Sequence, residues 1–251
     1  MEEKEIIKLK NVTKIYNQNQ PLALTAIKNI NLTINEGEFL AIMGKSGSGK
    51  TTLLNLLSAM IPQTSGEVFL LGKKTKNMSE EDIIKFRFAN VNFIFQDYNL
   101  LDNLTVYENI ALLLKMNHIE TKEIEKQING ISEKLGIKEL YHKYPIACSG
   151  GQQQRIAIAR AIVSKVKIIV ADEPTGNLDS ANSKELMELF KILNQDGITI
   201  ILVTHNHQIA SCSSRFVFIH DGEIREEISK ENKSQNVYYK EIITISTRRG
   251  K

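Results

Sequence analysis

Apolar positions change their spacing several times along the chain, and each change marks an element. Ile6 to Leu9, Ile30 to Ile34 and Phe39 to Met43 are short apolar or alternating runs, which predict strands; Asn35-Glu36-Gly37-Glu38 supplies the turn between the last two. Thr51 to Leu57 has helical spacing and must stop before Pro62. Gly66 to Leu71 and Val91 to Phe95 predict two more strands, the second buried. From Val106 to Leu140 the period is helical, with Ile110, Leu113, Leu114, Ile124, Ile128, Ile131 and Leu135 at steps of three or four. This segment reads as a helical insertion in an α/β core. Beyond Pro145 the pattern predicts a helix from about Ser149 to Val163, the strand Ile168 to Ala171 and the helix Lys184 to Leu193. The strands Ile198 to Val203 and Phe216 to Ile219 follow, and Asp221-Gly222 turns the chain back through Glu223-Ile224. Strands alternating with helices imply a largely parallel sheet covered on both faces. The polar stretch from Ser229 to Lys251 is basic at its end and reads as a short helix or a frayed tail.

Composition narrows the class. With 42% hydrophobic and 24% charged residues the chain is an ordinary globular sequence, which excludes disordered and fibrous architectures. The 32 Lys and Arg against 29 Asp and Glu leave a net charge of only +3, so nucleic acid is not expected as a partner. The longest apolar stretches are strand-length, far short of the roughly 20 residues that cross a bilayer. The charged opening Met1-Glu2-Glu3-Lys4-Glu5 does not have the pattern of a secretory signal, which predicts a cytosolic chain. Cys148 and Cys212 make no disulfide framework and suit a reducing compartment.

Two segments carry recognisable chemistry. Gly44-Lys45-Ser46-Gly47-Ser48-Gly49-Lys50-Thr51 fits the phosphate-binding pattern G-x-x-x-x-G-K-[ST] and sits between a predicted strand and a predicted helix. Glycines let the backbone wrap closely enough for its N–H groups to face phosphates. Lys50 supplies a compact positive charge, and the Thr51 hydroxyl is a ligand suited to Mg²⁺. The second segment is Asp172-Glu173, a carboxylate pair closing the apolar run Ile168 to Ala171. At the carboxyl end of a parallel strand such a pair would lie where open α/β sheets bind ligands, with Asp172 holding Mg²⁺ and Glu173 orienting or deprotonating a water. Taken alone, it is equally a solvated turn before Pro174.

With these segments in place the chain resembles the ATP-binding cassette ATPases over almost its whole length. Cys148-Ser149-Gly150-Gly151-Gln152-Gln153-Gln154-Arg155 is similar to that family's signature. Gln96 after Phe93-Ile94-Phe95 matches its glutamine loop, Asn177-Leu178-Asp179 its aspartate loop, His205 its switch histidine, and Tyr16 the aromatic that stacks on adenine. The resemblance implies a P-loop NTPase core of α/β class with an N-terminal antiparallel β subdomain and an inserted α-helical subdomain. It further implies a cassette over 1–228, the helical subdomain at about 97–163, and a tail at 229–251. ATP and Mg²⁺ are the implied cofactors. Lys50, Gln96, Glu173 and His205 would be catalytic, and Thr51, Gln96 and Asp172 would face the metal. Tyr16, residues Gly44 to Thr51 (Gly44, Lys45, Ser46, Gly47, Ser48, Gly49, Lys50 and Thr51) and Thr52 would hold one nucleotide. Ser149, Gly150, Gly151 and Gln152 would reach the nucleotide of a second copy packed head to tail, and Asp179 would link the two sites.

The run Ala171 to Ser180 is similar to the subgroup that contains macrolide exporters, lipoprotein-releasing complexes and the cell-division pair. The segment Phe93 to Ile110 resembles more narrowly the bacitracin-type antimicrobial-peptide resistance transporters. That resemblance implies a separate membrane permease, often with a sensor histidine kinase whose signalling depends on it, and a peripheral position on the cytoplasmic face of the membrane. The competing class is a soluble cassette ATPase acting on DNA or ribosomes; the single set of motifs without a long coiled-coil insert disfavours it. Tyr98, Leu100 and Leu101 are expected either to line the permease contact or to pack beneath the helices. Cys148 stands where the family usually has leucine. It is either a thiol made acidic by the following helix N-terminus or an inert space-filler.

Overall fold

The computed structural model describes residues 4–164 and 166–248; the first three residues of the charged opening and the last three of the basic end lie outside them. Two long strands, β1 (Glu5–Tyr16) and β2 (Leu24–Asn35), pair antiparallel with β4 (Ser65–Leu70) and the short β5 (Lys73–Lys74) in the order β2-β1-β4-β5. Strands β1 and β2 run well past the expected Ile6–Leu9 and Ile30–Ile34. Register shifts between them break the strict alternation from which those lengths were read.

The second sheet carries the site. Its order is β10-β9-β3-β8-β7-β6, with β3 (Phe39–Met43), β6 (Val91–Phe95), β7 (Ile168–Asp172), β8 (Thr199–Val203) and β9 (Arg215–His220) parallel, and β10 (Glu223–Ser229) antiparallel at the edge. Every residue of β3 and β8 is buried, as expected for strands covered on both faces. Along β8 the side chains alternate. Ile201 and Val203 join the core beneath the antiparallel sheet with Leu53 and Leu57 of α1 (Lys50–Leu57), whereas Ile200 and Leu202 join Leu186 and Phe190 of α6 (Ser180–Gln195). Register then aligns the strand ends, because Ile42 lies opposite Val203 and Val203 opposite Asp172. The glycine loop after β3 and the carboxylates after β7 therefore emerge at one end of the sheet.

Between β6 and β7 come α3 (Val106–Met116), α4 (Thr121–Leu135) and α5 (Gly150–Ile162), which share a core of Val106, Ile110, Ile124, Ile128, Cys148 and Ile156. Thr105 and Ser149 cap α3 and α5 through reciprocal capping boxes with Glu108 and Gln152. The helix α2 (Glu80–Asn90) was not expected from its pattern, since Phe86 is its one buried residue and its apolar positions follow no helical stripe. The short α7 (His207–Ala210) follows β8. The tail forms α8 (Gln235–Arg248), which seats Tyr238 and Ile242 against Met43, Phe216 and Phe218 on the far side of β3 and β9. No helix among the described residues is long and apolar enough to cross a membrane.

Candidate nucleotide-binding site

The loop from Gly44 to Gly49 passes from buried β3 into α1 with no side-chain cap on the helix, so the N–H groups of its first turn remain available. Gly49 adopts φ 99°, and a Cβ there would stand 2.5 Å from the Ala26 carbonyl oxygen; only glycine fits. Ser48 is buried, and its Oγ has no protein partner, so it presents an unsatisfied polar atom within the loop. Lys50 folds back over the same loop, its Nζ donating to the carbonyls of Gly44 at 2.9 Å and Lys45 at 2.8 Å. Burial lowers its pKa, while the carboxylates of Glu173 and Asp172 oppose that shift.

Across the cleft, the Thr51 hydroxyl donates to Asp172 Oδ2 at 3.5 Å. Burial first, and the neighbouring Glu173 second, raise the Asp172 pKa, with Thr51 and Lys50 pulling the other way. Glu173 holds the left-handed backbone conformation, φ 48°, and its N–H donates to the Val203 carbonyl at 2.9 Å. Its Oε2 lies 3.0 Å from His205 Nδ1 and accepts the His205 backbone N–H at 3.3 Å. The Glu173 side chain is 18% exposed against 76% for His205, so the carboxylate is sheltered while the imidazole faces the open side of the cleft.

Gln96 reaches the cleft from the end of β6. Its Nε2 donates to Asn177 Oδ1 at 3.4 Å, and Asn177 Nδ2 donates to the Gln96 carbonyl at 3.1 Å and to Asp97 Oδ1 at 3.3 Å. A Cβ on Gly176 would lie 2.8 Å from the Gln96 amide. Gly176 and Asn177 brace Gln96 without lining the cleft; the residues that do line it and that sequence reasoning did not assign to the site are Phe95, Asp97 and Asn99, all within the run Phe93 to Ile110 that it singled out.

Gly44, Ser46, Lys50, Thr51, Gln96, Asp172, Glu173 and His205 thus share one cleft of about 580 Å³. Lys45, Gly47, Ser48 and Gly49 belong to the loop between these residues, and the other candidates lie elsewhere. Tyr16 and Thr52 meet beside this cleft, hydroxyl to hydroxyl at 3.4 Å. Ser149, Gly150, Gly151 and Gln152 form the start of α5 and do not line the cleft. Asp179 caps α6, accepting from the Asn182 N–H and side-chain amide, both at 2.8 Å, and these bonds hold its carboxyl below the usual range. A larger groove of about 950 Å³ runs between the two sheets, but there Arg215 is paired with Glu38 and Glu227, both at 2.8 Å, so its main charges are already satisfied.

Packing decides two expectations that the sequence left open. Tyr98 is not part of an exposed docking surface: it is 8% exposed, whereas Leu101 is 42% exposed and Leu100 packs on the helical core. Cys148 is buried among Ile156, Ala159 and Val163, with its Sγ near the Tyr144 carbonyl at 3.6 Å. Burial pushes its thiol pKa up, outweighing the opposing effect of Lys143, so the space-filling alternative holds.

Residues 27–176 match the sequence model of the ABC transporter family. The ABC transporter ATP-binding protein YxdL of Bacillus subtilis is 41% identical over 246 residues, covering 98% of this chain and 95% of the relative. The bacitracin export ATP-binding protein BceA of Halalkalibacterium halodurans is 42% identical over 218 residues, 86% of each chain. Among solved structures, the ATP-binding cassette MJ0796, a dimer bound to ADP and Pi in a post-hydrolysis state, superposes with a TM-score of 0.82 at 39% identity, covering 89% of this chain and 98% of that one. A glycine loop, a paired carboxylate and a histidine meeting at the ends of three adjacent parallel strands, in a sequence matched by these relatives, place the chain in the ABC transporter family as one of its ATP-hydrolysing subunits.

Proposed function

We propose that this subunit powers a separate membrane permease that confers resistance to antimicrobial peptides of the bacitracin type. Residues 1–228 act as the cassette, about 97–163 as its helical subdomain and 229–251 as an appended tail. The observation that carries the reading is the division of the motifs: one cleft holds Lys50, Thr51, Gln96, Asp172, Glu173 and His205, while Ser149 and Gly150 stand exposed outside it. A head-to-tail second copy would bring its own Ser149 helix end to this cleft, closing ATP between the chains. The dimeric cassette found among the solved structures supports that arrangement.

The residues have separable tasks. Lys50 exchanges the Gly44 and Lys45 carbonyls for phosphate oxygens, and the Ser48 hydroxyl and first-turn N–H groups of α1 add donors. Thr51 Oγ1, Asp172 Oδ2 and the Gln96 side-chain oxygen fit the oxygen-donor chemistry of Mg²⁺. When bound, Mg²⁺ neutralises negative charge on the terminal phosphates. Glu173, held by the Val203 carbonyl, orients the attacking water and takes its proton; His205 leaves Glu173 to contact the γ-phosphate. Tyr16 stacks on adenine, and Asp179 links the two sites. Product charge repulsion then opens the dimer and drives the permease.

The permease surface is placed at the exposed Leu101 beside the glutamine loop, and the subunit is held there on the cytoplasmic face of the membrane, with a sensor histidine kinase engaged through the permease. A macrolide-export, lipoprotein-release or cell-division complex is the alternative, because the run Ala171 to Ser180 is similar across that subgroup. Leu101→Asp should leave folding and ATP binding intact and weaken co-purification with the permease by about tenfold, as expected for a charge placed in an apolar contact. Undiminished co-purification would remove Leu101 from the contact. Bacitracin sensitivity of a strain lacking this subunit separates the peptide-resistance reading from its alternatives.

A further inference from the structure

His205 stands between a buried anchor and a very short helix. On its amino side Thr204 is fully buried, and its N–H donates to the Ile42 carbonyl of β3 at 3.2 Å. On its carboxyl side the chain enters α7, which is four residues long. A helix of that length cannot sustain itself, because isolated helices shorter than about 12 residues are marginal in water. Asn206 caps its start, Oδ1 accepting from the N–H groups of Gln208 at 2.9 Å and Ile209 at 3.2 Å. Packing holds it from one side only. Ala210 is buried against the sheet, whereas Asn206, Gln208 and Ser211 line a groove of about 920 Å³ between α6, α7 and α8.

The far end of α7 is tied by the tail helix. At the start of α8, Gln235 Nε2 donates to the Ser211 carbonyl and to Ser211 Oγ, both at 2.7 Å. Ser211 is buried and hands the tie back along α7, its Oγ donating to the Gln208 carbonyl at 2.8 Å. Three residues beyond Gln235, the fully buried Tyr238 sets its hydroxyl 3.4 Å from Ser213 Oγ, which donates to the Ala210 carbonyl at 2.8 Å. Burial pushes the Tyr238 hydroxyl up to about 12, so it keeps its proton. Tyr238 and Ile242 rest in turn on Met43, Phe216 and Phe218, which seats α8 on the sheet that carries the cleft.

We propose that Gln235 and Tyr238 are positioning residues: through Ser211 and Ser213 they fix the carboxyl end of α7, and α7 fixes where His205 stands relative to Glu173. None of the described residues of α8 lines the cleft, so the tail acts on hydrolysis only through this short helix. The proposal rests on the reading of His205 given above. Its imidazole must exchange Glu173 for a phosphate oxygen, and that movement reaches one end point at every turnover only if the backbone on both sides of it is held.

The test compares three forms of the full chain with the parent: Gln235→Leu with Tyr238→Phe, which removes both polar ties and keeps the side-chain bulk; His205→Ala; and all three changes together. Steady-state ATP hydrolysis, amide hydrogen exchange and thermal midpoints are measured on each. The tail pair should keep the KM for ATP within about twofold and lower kcat about fivefold. Exchange at the Ala210 and Ser211 amides, which close α7 on the Asn206 and His207 carbonyls, should rise at least about tenfold more than exchange in β7 or α5. The triple variant should lose little beyond His205→Ala, because a displaced α7 then has no imidazole to misplace. Losses that multiply in the triple variant would overturn the proposal, as would a kcat per folded molecule that the tail pair leaves unchanged. A lowered midpoint with exchange raised evenly throughout would also overturn it, making α8 a stabilising tail only. Failure of the underlying reading registers separately, as a His205→Ala protein that hydrolyses ATP at the parental rate while the tail pair still loosens α7.

Discussion

The nucleotide cleft and the signature turn sit at two helix N-termini of the same chain, and they are finished to different degrees. At the cleft, α1 begins at a glycine with no side-chain cap, Ser48 Oγ is buried without a partner, and Lys50 is parked on backbone carbonyls. At the signature, Ser149 and Gln152 cap α5 reciprocally, with the Ser149 N–H donating to Gln152 Oε1 at 2.9 Å. The first terminus leaves its donors for an anion. The second satisfies part of its own need and remains exposed, so it can wait for a partner without destabilising the monomer. One chain thus carries a charged, incompletely satisfied half-site and a capped, stable one, and the difference is the physical basis for placing their meeting between two copies.

The strongest way to break this comparison is at Glu173. Glu173→Gln keeps the shape of the side chain but removes the base, and should lower kcat at least about 100-fold while ATP holds the protein as a dimer. Hydrolysis rates and sizing in MgATP measure both effects; a monomer turning over at the parental rate would contradict the division of the site. Lys50→Ala should weaken ATP binding on the order of 10- to 100-fold, since a charge-assisted contact to phosphate is lost, and nucleotide titration of the monomer reads it directly.

The signature turn and the cleft should also respond oppositely in stability. Ser149→Ala removes the α5 cap and should cost about 1 kcal/mol in urea unfolding, with ATP affinity of the monomer unchanged. Asp172→Asn should do the reverse on a smaller scale. Burial and Glu173 raise the Asp172 carboxyl in the folded state, so its contribution to stability is present in acid and is lost as pH rises through that raised value. At neutral pH its charge opposes folding, and Asn should raise the thermal midpoint of the nucleotide-free protein by about 1–2 °C, the partial exposure of the group keeping the effect small. The gain should shrink as pH falls toward the ordinary aspartate value, while Mg²⁺-dependent hydrolysis is lost. Midpoints measured across pH would reject the assignment if Asp172→Asn were destabilising at pH 7.

Much of this contrast was legible in the residues themselves. Continuous apolar runs recover β3, β7 and β8 because both faces of those strands are buried, a period of 3.6 recovers α5, and the spacing from Gly44 to Thr51 specifies a loop whose chemistry is local. Asp172-Glu173 was ambiguous until the register set Asp172 opposite Val203 and Val203 opposite Ile42, which turned a strand-ending acidic pair into the far wall of the cleft. The helix α2 escaped because a single buried Phe86 leaves no stripe, although its capping box Ser79–Asp82 is written in the sequence. The tail stayed open between a short helix and a frayed end for a related reason, since Tyr238 and Ile242 are the only buried residues of α8 and their core partners lie on β3 and β9. Tyr98 and Cys148 show what a one-dimensional pattern cannot hold. Whether an apolar residue in a loop is exposed depends on what other segments bring to it, here Arg160 and Gly150 against Tyr98, and Ile156 and Val163 against Cys148. The sequence by itself determined the elements and the phosphate loop, because periodicity and turn chemistry act between neighbours; strand register and side-chain packing, which act between residues far apart in the chain, decided which motifs share a cleft and which stand apart to meet a second copy.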